Sequence, residues 1–145
     1  MKWAIPAIFL LFLLFFFFPR KTKNGNLSIN GKNYQIEYAI TTLQKAKGLS
    51  NRDFLCENCG MLFAFDNLGT HPFWMKDTRI SLDMIWLDKN GKIVHYELAK
   101  PQPNTPITQL KVYKNSTPAK YVLELNAGDF DKLNLKIGDI IKIKK

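Results

Sequence analysis

The chain contains few of the residues that most often carry chemistry, since its 145 residues include two cysteines and two histidines. No Gly-x-Ser-x-Gly segment occurs, so the nucleophile elbow typical of α/β-hydrolases is missing. Neither His71 nor His95 has an evident catalytic neighbour, and their spacing from the cysteines is unlike that of a compact zinc finger. We therefore predict no metal site and no cofactor, and we find no standard signature of an enzyme.

Acidic residues are also scarce, because 12 Asp and Glu stand against 21 Lys and Arg, for a formal net charge of +9. Four of the cations flank an apolar N-terminal run, and the rest of the chain carries 17 basic and 12 acidic residues. Those positive charges are scattered singly, apart from the tail with Lys142, Lys144 and Lys145. Nucleic-acid sites cluster their cations, so we expect no nucleic-acid partner.

No charged residue occurs in the 17 positions from Trp3 to Pro19, a length of about 25 Å as a helix. No small-x-small cleavage site follows this run, which ends in four phenylalanines, a proline and Arg20. No cysteine follows it either, which excludes a lipid-modified cysteine at the junction. We predict that residues 1–23 form an uncleaved, single-pass membrane helix with a basic flank; a removed signal peptide is the alternative.

The orientation of the body follows less directly from the flanking charges. Arg20, Lys21 and Lys23 outweigh Lys2, which by the positive-inside rule favours a cytoplasmic body. The same basic residues suit anionic lipid headgroups, at about 1 kcal/mol each near the surface.

Residues 24–145 have the length of one domain, and their turn signals predict short strands. Asn30-Gly31 suits a type I′ hairpin, and Gly91 can take the left-handed position in a second hairpin. Thr41 or Thr42 can cap a short helix that ends before Gly48. An apolar strand from Met61 to Phe65 is typical of a sheet centre.

Further along the chain, four prolines between Lys100 and Pro118 leave room only for a short edge strand. A strand from Tyr121 to Leu125, a one- or two-turn helix near Asp129 and a last strand at residues 140–143 complete the pattern. We predict a mainly β (β-rich α+β) fold, a small barrel or sandwich of short strands with one or two short helices, preceded by the membrane helix.

Four stretches together resemble one known family. They read Gly60-Met61-Leu62-Phe63-Ala64-Phe65, Phe73-Trp74-Met75-Lys76-Asp77-Thr78, Leu82-Asp83-Met84-Ile85-Trp86-Leu87 and Tyr121-Val122-Leu123-Glu124-Leu125-Asn126-Ala127-Gly128, followed by Gly138-Asp139. This pattern resembles the uncharacterised domain-of-unknown-function family 192, a family of conserved membrane or exported proteins. The match covers roughly residues 34–142, and Gly48-Leu49 and Arg52 fit the family's early Gly-Leu-Met-x-Arg element.

The resemblance implies a compact β-rich domain, often preceded by an export or anchor segment, and therefore favours an extracytoplasmic body. It implies no reaction. The chain departs from the family pattern at three positions: Asp77 stands in place of Asn, Ser81 in place of Pro, and Ser50 in place of Met. The first change replaces a hydrogen-bonding amide with a charge.

Large aromatic side chains alternate with polar ones from Phe73 to Thr78. In a strand Phe73 and Met75 share one face, and Trp74 and Lys76 share the other. Core packing accounts for the first pair. Trp74, Lys76, Asp77 and Thr78 form either a binding cleft or a structural turn with a solvated charge pair.

Asp83 and Glu124 each interrupt an apolar strand, and a buried carboxylate is costly unless it is paired. We expect both to face inward and at least one to pair with Arg52 or Lys76, either as a structural ion pair or as part of a ligand site. If both lined one cleft, one of them could act as a general acid or base.

The two cysteines, Cys56 and Cys59, form a C-x-x-C pair outside the family motifs. A local disulfide suits an oxidising compartment. A redox-active pair would require the motif at a helix N-terminus, and here an apolar strand follows. A zinc site completed by the histidines and two reduced structural cysteines are the remaining alternatives.

These observations predict a membrane-anchored domain of the cell envelope that binds a small polar ligand or a partner protein. The ligand-binding residues would be Arg52, Trp74, Lys76, Asp77, Asp83 and Glu124. The alternatives are a hydrolase-like envelope enzyme that uses Asp83 or Glu124, and a thiol-disulfide module that uses Cys56 and Cys59.

Overall fold

Eight strands and two short α-helices occur within residues 23–143, the part of the chain that the computed structural model describes. The strands are β1 (Lys23–Ile29), β2 (Lys32–Ala39), β3 (Cys59–Gly69), β4 (Phe73–Trp74), β5 (Leu82–Leu87), β6 (Ile93–Ala99), β7 (Val112–Tyr113) and β8 (Ala119–Asn126). The helices are α1 (Thr42–Lys47) and α2 (Asp129–Lys132), with a 3-10 turn at Ile107–Gln109.

Within residues 23–143 no helix has the length and apolar character needed to cross a bilayer. The expected membrane helix lies outside the described residues, apart from Lys23.

The main sheet has six strands in the order β1-β2-β3-β8-β5-β6, and β4 and β7 form a separate two-stranded sheet. All neighbours in the main sheet are antiparallel except β2 and β3, which run parallel. The expected mainly β fold is confirmed, but the barrel alternative is wrong because β1 and β6 remain at open edges. The physical reason is that both faces of the sheet are apolar, whereas a small barrel has one apolar interior.

Each face of the sheet supports its own core. Residues alternate between the faces, so that Leu62, Ile85, Leu123 and Leu125 belong to the first core. The second core contains Met61, Phe63, Met84, Trp86 and Val122 from the same strands. Phe130, Leu133, Leu135 and Ile141 cover the first face, and Leu49, Leu55, Met75 and Tyr113 cover the second.

Local turn chemistry sets the two hairpins as expected. Asn30 and Gly31 have φ of 46° and 81°, the left-handed values that a type I′ turn needs. Gly91 has φ of 80°, and a Cβ there would lie 2.1 Å from the carbonyl oxygen of Ile141. Only glycine fits that position.

Helix α1 is also set locally. The Thr41 hydroxyl accepts a hydrogen bond from the Gln44 N–H, and the Gln44 side chain accepts one from the Thr41 N–H. This capping box begins the helix, and Gly48 follows its last residue.

The prediction of a strand at residues 140–143 is wrong, because only a single bridge between Lys92 and Ile140 forms there.

Candidate functional site

A cleft of about 260 Å³ opens on the second face of the sheet, between α1, β4 and the middle of the sheet. The loop after α1 forms one side, and β4 with the turn that follows it forms the other. The side chains and backbone that line it belong to Lys45, Ala46, Lys47, Gly48, Leu49, Ser50, Phe63, Phe65, Pro72, Phe73, Trp74, Lys76, Thr78 and Glu124. The fold therefore brings together Trp74, Lys76 and Glu124 of the predicted ligand-binding residues.

Glu124 lies at the base of this cleft and is 4% exposed. It pairs in register with Met61 of β3 and Met84 of β5, so it projects from the second face at the centre of the sheet. Its Oε2 atom has no hydrogen-bond partner among the described residues. Burial raises the pKa of Glu124 to about 8, although the nearby positive charge of Arg52 opposes the shift. The carboxyl group can therefore donate a hydrogen bond at neutral pH.

Arg52 does not form an ion pair with Glu124 or Asp83. Its guanidinium forms two hydrogen bonds with the carboxylate of Glu37, at 2.5 and 2.8 Å. The hydrogen bonds from Arg52 lower the pKa of Glu37, and the same bonds raise the pKa of Arg52. The pairing of Arg52 with Glu37 leaves the buried Glu124 without a bonded cation among residues 23–143.

The aromatic wall of the cleft is held by the second core. Phe73 packs edge-on against Phe63, with ring centroids 4.8 Å apart, and it also contacts Trp86 edge-on. Met75 is buried and Trp74 is 47% exposed, as the alternation of the sequence predicts. Trp74 therefore presents an indole to the cleft and to solvent.

Two turns beside the cleft are joined by hydrogen bonds. The Asn51 N–H donates to the Asp77 carbonyl oxygen at 2.7 Å, and the Ser50 hydroxyl donates to the Lys76 carbonyl oxygen at 3.2 Å. Asn51 and Asp77 have φ of 60° and 55°, a backbone conformation that Asn and Asp adopt more readily than other side chains. Asp77 therefore has a structural role in its turn, which an asparagine could equally fill.

Lysines surround the mouth of the cleft. Lys45 lies over the Phe65 ring, with its Nζ atom 4.8 Å from the ring centroid. Lys76 forms an exposed ion pair with Asp77, and Lys47 is exposed at the end of α1. The cleft thus combines an acid at its base, aromatic walls and cations at its rim.

Asp83 lies on the opposite face of the sheet, away from the cleft. It pairs in register with Leu125, whereas Glu124 pairs with Met84, so the two acids project to opposite sides. Asp83 is fully buried and accepts hydrogen bonds from the Tyr96 hydroxyl at 2.9 Å and the Phe130 N–H at 2.8 Å. Burial raises the pKa of Asp83, and those hydrogen bonds oppose the shift. Neither Arg52 nor Lys76 pairs with it.

The cysteines lie apart from the cleft, in the turn that leads into β3. Cys56 and Cys59 form a disulfide with a Cα–Cα distance of 5.2 Å. The Cys59 N–H donates to the Cys56 carbonyl oxygen, which also accepts from the Asn126 side chain. The disulfide therefore closes the turn before β3, and the Asn126 hydrogen bond joins that turn to the end of β8.

Sequence reasoning missed Lys45, Lys47, Phe63 and Phe65, which line the cleft, and Glu37, which pairs with Arg52. Glu37 lies in an alternating strand, where an acid is expected to face solvent. The sequence shows the lysines only as the last turn of a short helix before Gly48. The fold places that turn at the cleft, where Lys45 lies over Phe65 of β3.

The fold and the cleft define a mainly β protein with an open, six-stranded mixed sheet and a buried carboxyl group at the base of a surface cleft. The chain belongs to the family DUF192, described as "Uncharacterized ACR", whose family model matches residues 25–143. This confirms the resemblance seen in the sequence motifs.

Two solved structures are similar to this chain. One is a "putative transcription regulator" from Sinorhizobium meliloti 1021, with 27% sequence identity and a TM-score of 0.74 over 86% of this chain and 97% of that one. The other is a protein of unknown function from Novosphingobium aromaticivorans DSM 12444, with 26% identity and a TM-score of 0.69 over 84% and 85%. No curated protein matches the chain.

Proposed function

We propose that the protein is a membrane-anchored domain of the cell envelope whose cleft binds a small anionic ligand. The anchor is the apolar run at residues 3–19, and the body lies outside the cytoplasm. An extracytoplasmic body is supported by the Cys56–Cys59 disulfide, because disulfides persist in oxidising compartments.

One observation carries the ligand proposal: the Oε2 atom of Glu124 is buried at the base of the cleft without a hydrogen-bond partner among the described residues. A buried polar atom left unpaired costs about 1–3 kcal/mol. A ligand atom that accepts a hydrogen bond from the protonated carboxyl group would remove that cost. Structural acids, in contrast, are usually satisfied by the protein, as Asp83 is.

The chemistry of the walls and rim indicates the kind of ligand. Phe63, Phe73 and Trp74 suit a flat or apolar body, and Lys45 and Lys47 suit a negatively charged group. The ligand would therefore have a polar end that bonds to Glu124 and an anionic end at the rim. Glucuronate carries hydroxyl groups as well as a carboxylate and meets both requirements. Benzoate carries a carboxylate on a flat ring without a second polar group, and phosphate carries charge without a body.

The test is calorimetric titration of the full chain in lipid nanodiscs with benzoate, glucuronate and inorganic phosphate. We expect saturable binding of glucuronate, lost or weakened about tenfold in Glu124→Leu, which has no donor, since a buried hydrogen bond of about 1.4 kcal/mol corresponds to tenfold in affinity. Glu57→Leu is the matched control, because the Glu57 side chain is 88% exposed. Absence of saturable heat with all three probes, or equal binding by Glu124→Leu, would contradict the proposal.

An envelope enzyme is the second candidate, and the raised pKa of Glu124 favours it, because a general acid works best with a pKa near the ambient pH. Such an enzyme would rely on Glu124 alone, since Asp83 lies on the other face and is fully hydrogen-bonded. Turnover of an ester or glycoside that is lost in Glu124→Gln would support this alternative.

A partner protein and a thiol-disulfide module remain weaker proposals. Cys56 is exposed, but the disulfide precedes a strand, whereas redox-active pairs lie at a helix N-terminus.

A further inference from the structure

We propose that the end of the sheet at which β1 begins lies against a lipid surface with anionic headgroups, and that α1 is the main contact. This inference rests on the membrane anchor proposed above. It adds the orientation of the domain on the membrane.

Strand register places several segments at this end. Lys23, the first residue of β1, pairs with Tyr38, and β2 ends one residue later at Ala39 and leads into Ile40 and α1. Across the sheet, Tyr121 at the start of β8 pairs with Ala64 and with Leu87. The turn after β5 therefore shares this end, and Ile140 bridges to it through Lys92.

Large apolar side chains are exposed on these same segments. Leu43 of α1 is 83% exposed, Ile40 is 50% exposed and Ile140 is 63% exposed. Helix α1 has no buried residue, so core packing does not account for the exposed leucine at its second position. Exposed leucine and isoleucine beside lysines are typical of elements that lie in a membrane interface.

The charge of these segments suits anionic lipid. The lysines at this end are Lys23, Lys45, Lys47, Lys89, Lys92 and Lys120, and the acids on the same segments are Asp66 and Asp88. Residues 136–140 add one charge of each sign, Lys136 and Asp139. A lipid surface with anionic headgroups attracts each nearby lysine.

The N-terminal apolar run ends four residues before β1 begins in the sequence. Pro19 precedes Lys23 by four residues, which span at most about 14 Å when extended. An anchored chain therefore holds the start of β1 near the bilayer. A second copy of the chain is a less suitable occupant, because a symmetric contact would bring two lysine-rich surfaces together.

The test measures the membrane depth of single labelled cysteines in the full chain. Leu43→Cys and Leu98→Cys would each carry a bimane fluorophore, with the native pair, Cys56 and Cys59, kept in its disulfide. Leu98 is the matched control, since it is a leucine 43% exposed and lies near the other end of edge strand β6. The chains are placed in nanodiscs with a doxyl-lipid quencher, made either of phosphatidylcholine alone or with phosphatidylserine.

We expect the label at position 43 to be quenched at least about twofold more than the label at position 98 in phosphatidylserine discs, with a smaller difference in high salt.

Equal quenching at both positions in chains that stay in the discs would overturn the docking surface and leave the anchor intact. Equal quenching of the label at position 43 with and without phosphatidylserine would overturn the requirement for anionic lipid. Excimer emission from a pyrene label at position 43 would show that a second copy of the chain, not lipid, covers the surface. Loss of the chain from the discs would refute the anchor and with it this inference.

Discussion

At the scale of single residues, the two buried acids of the sheet differ in how the protein satisfies them. Asp83 accepts hydrogen bonds from two groups on the first face, whereas one oxygen of Glu124, on the second face, has no partner within residues 23–143. Both were expected to face inward, and their burial confirms this. Neither is paired with Arg52 or Lys76, because Arg52 bonds to Glu37 and Lys76 bonds to Asp77.

Glu124→Gln should make the protein more stable at alkaline pH. The folded-state pKa of about 8 lies above the ordinary value, so the native state binds more protons than the unfolded state between about pH 4.5 and 8. The contribution of Glu124 to stability is therefore fully present below pH 4.5 and is lost as the pH rises through 8. Denaturant unfolding from pH 4 to 9 should show the variant gaining up to about 5 kcal/mol over the wild type.

The same series with Glu57→Gln is the control, since that side chain is exposed and its substitution should give no such pH dependence. A pH-independent difference between Glu124→Gln and the wild type would show that Glu124 is not buried with a raised pKa.

Asp83→Ala should lower the free energy of unfolding by about 2–4 kcal/mol, because it leaves the Tyr96 hydroxyl and the Phe130 N–H without an acceptor. Tyr96→Phe removes only one of the two bonds and should cost about 1 kcal/mol. Urea unfolding measures both. Binding in the cleft should be unchanged in either variant because they lie on the opposite face, and a loss of binding would show that the faces are coupled.

At the scale of elements, β3 passes close to both of its neighbours at Gly60. A Cβ there would lie 2.7 Å from Leu125 Cδ2 and 2.8 Å from the Glu124 carbonyl oxygen, both in β8, and 3.1 Å from Ile36 Cδ1 in β2. The backbone oxygen cannot move without disturbing β8, which carries Glu124. The glycine therefore permits the central strand pairing that positions the base of the cleft.

Gly60→Ala should lower the free energy of unfolding by about 1–3 kcal/mol, the usual cost of overpacking a core. Gly69→Ala is the control on the same strand, since its Cβ would meet only His71 Cε1 at 3.8 Å, an ordinary contact. Thermal melts of the two variants should differ clearly. Equal melting temperatures would mean that β3 and β8 can separate slightly at Gly60 without cost.

At the scale of the whole molecule, the membrane anchor remains a prediction. The full chain should pellet with membranes and resist extraction by alkaline carbonate, because an apolar helix of about 25 Å is retained by the bilayer core. Sequencing of the mature N-terminus is the companion measurement. A chain that begins after Pro19, or one released by carbonate, would show that the segment is a removed signal or a peripheral element.

Most of the local structure could be predicted from the sequence, because short-range chemistry decides it. The Asn30-Gly31 turn, the capping box at Thr41 and the left-handed Gly91 each depend on residues within a few positions. The apolar strand from Met61 to Phe65 also indicated a central position, since both of its faces had to be covered. The prediction of a final strand at residues 140–143 was wrong, because these residues follow a turn and form only one bridge to another segment.

The candidate site depended on long-range pairing that no local pattern contains. A sequence shows that Asp83 and Glu124 interrupt apolar strands, but a register shift of one residue reverses the face to which a side chain projects. The pairing of β5 with β8 sets the two acids on opposite faces, and the packing of α1 over β3 brings Lys45 and Lys47 to the cleft. The sequence by itself determined the strands, turns and buried acids of this protein, and the tertiary structure decided which of those acids meets a cleft, because contacts between distant strands place it there.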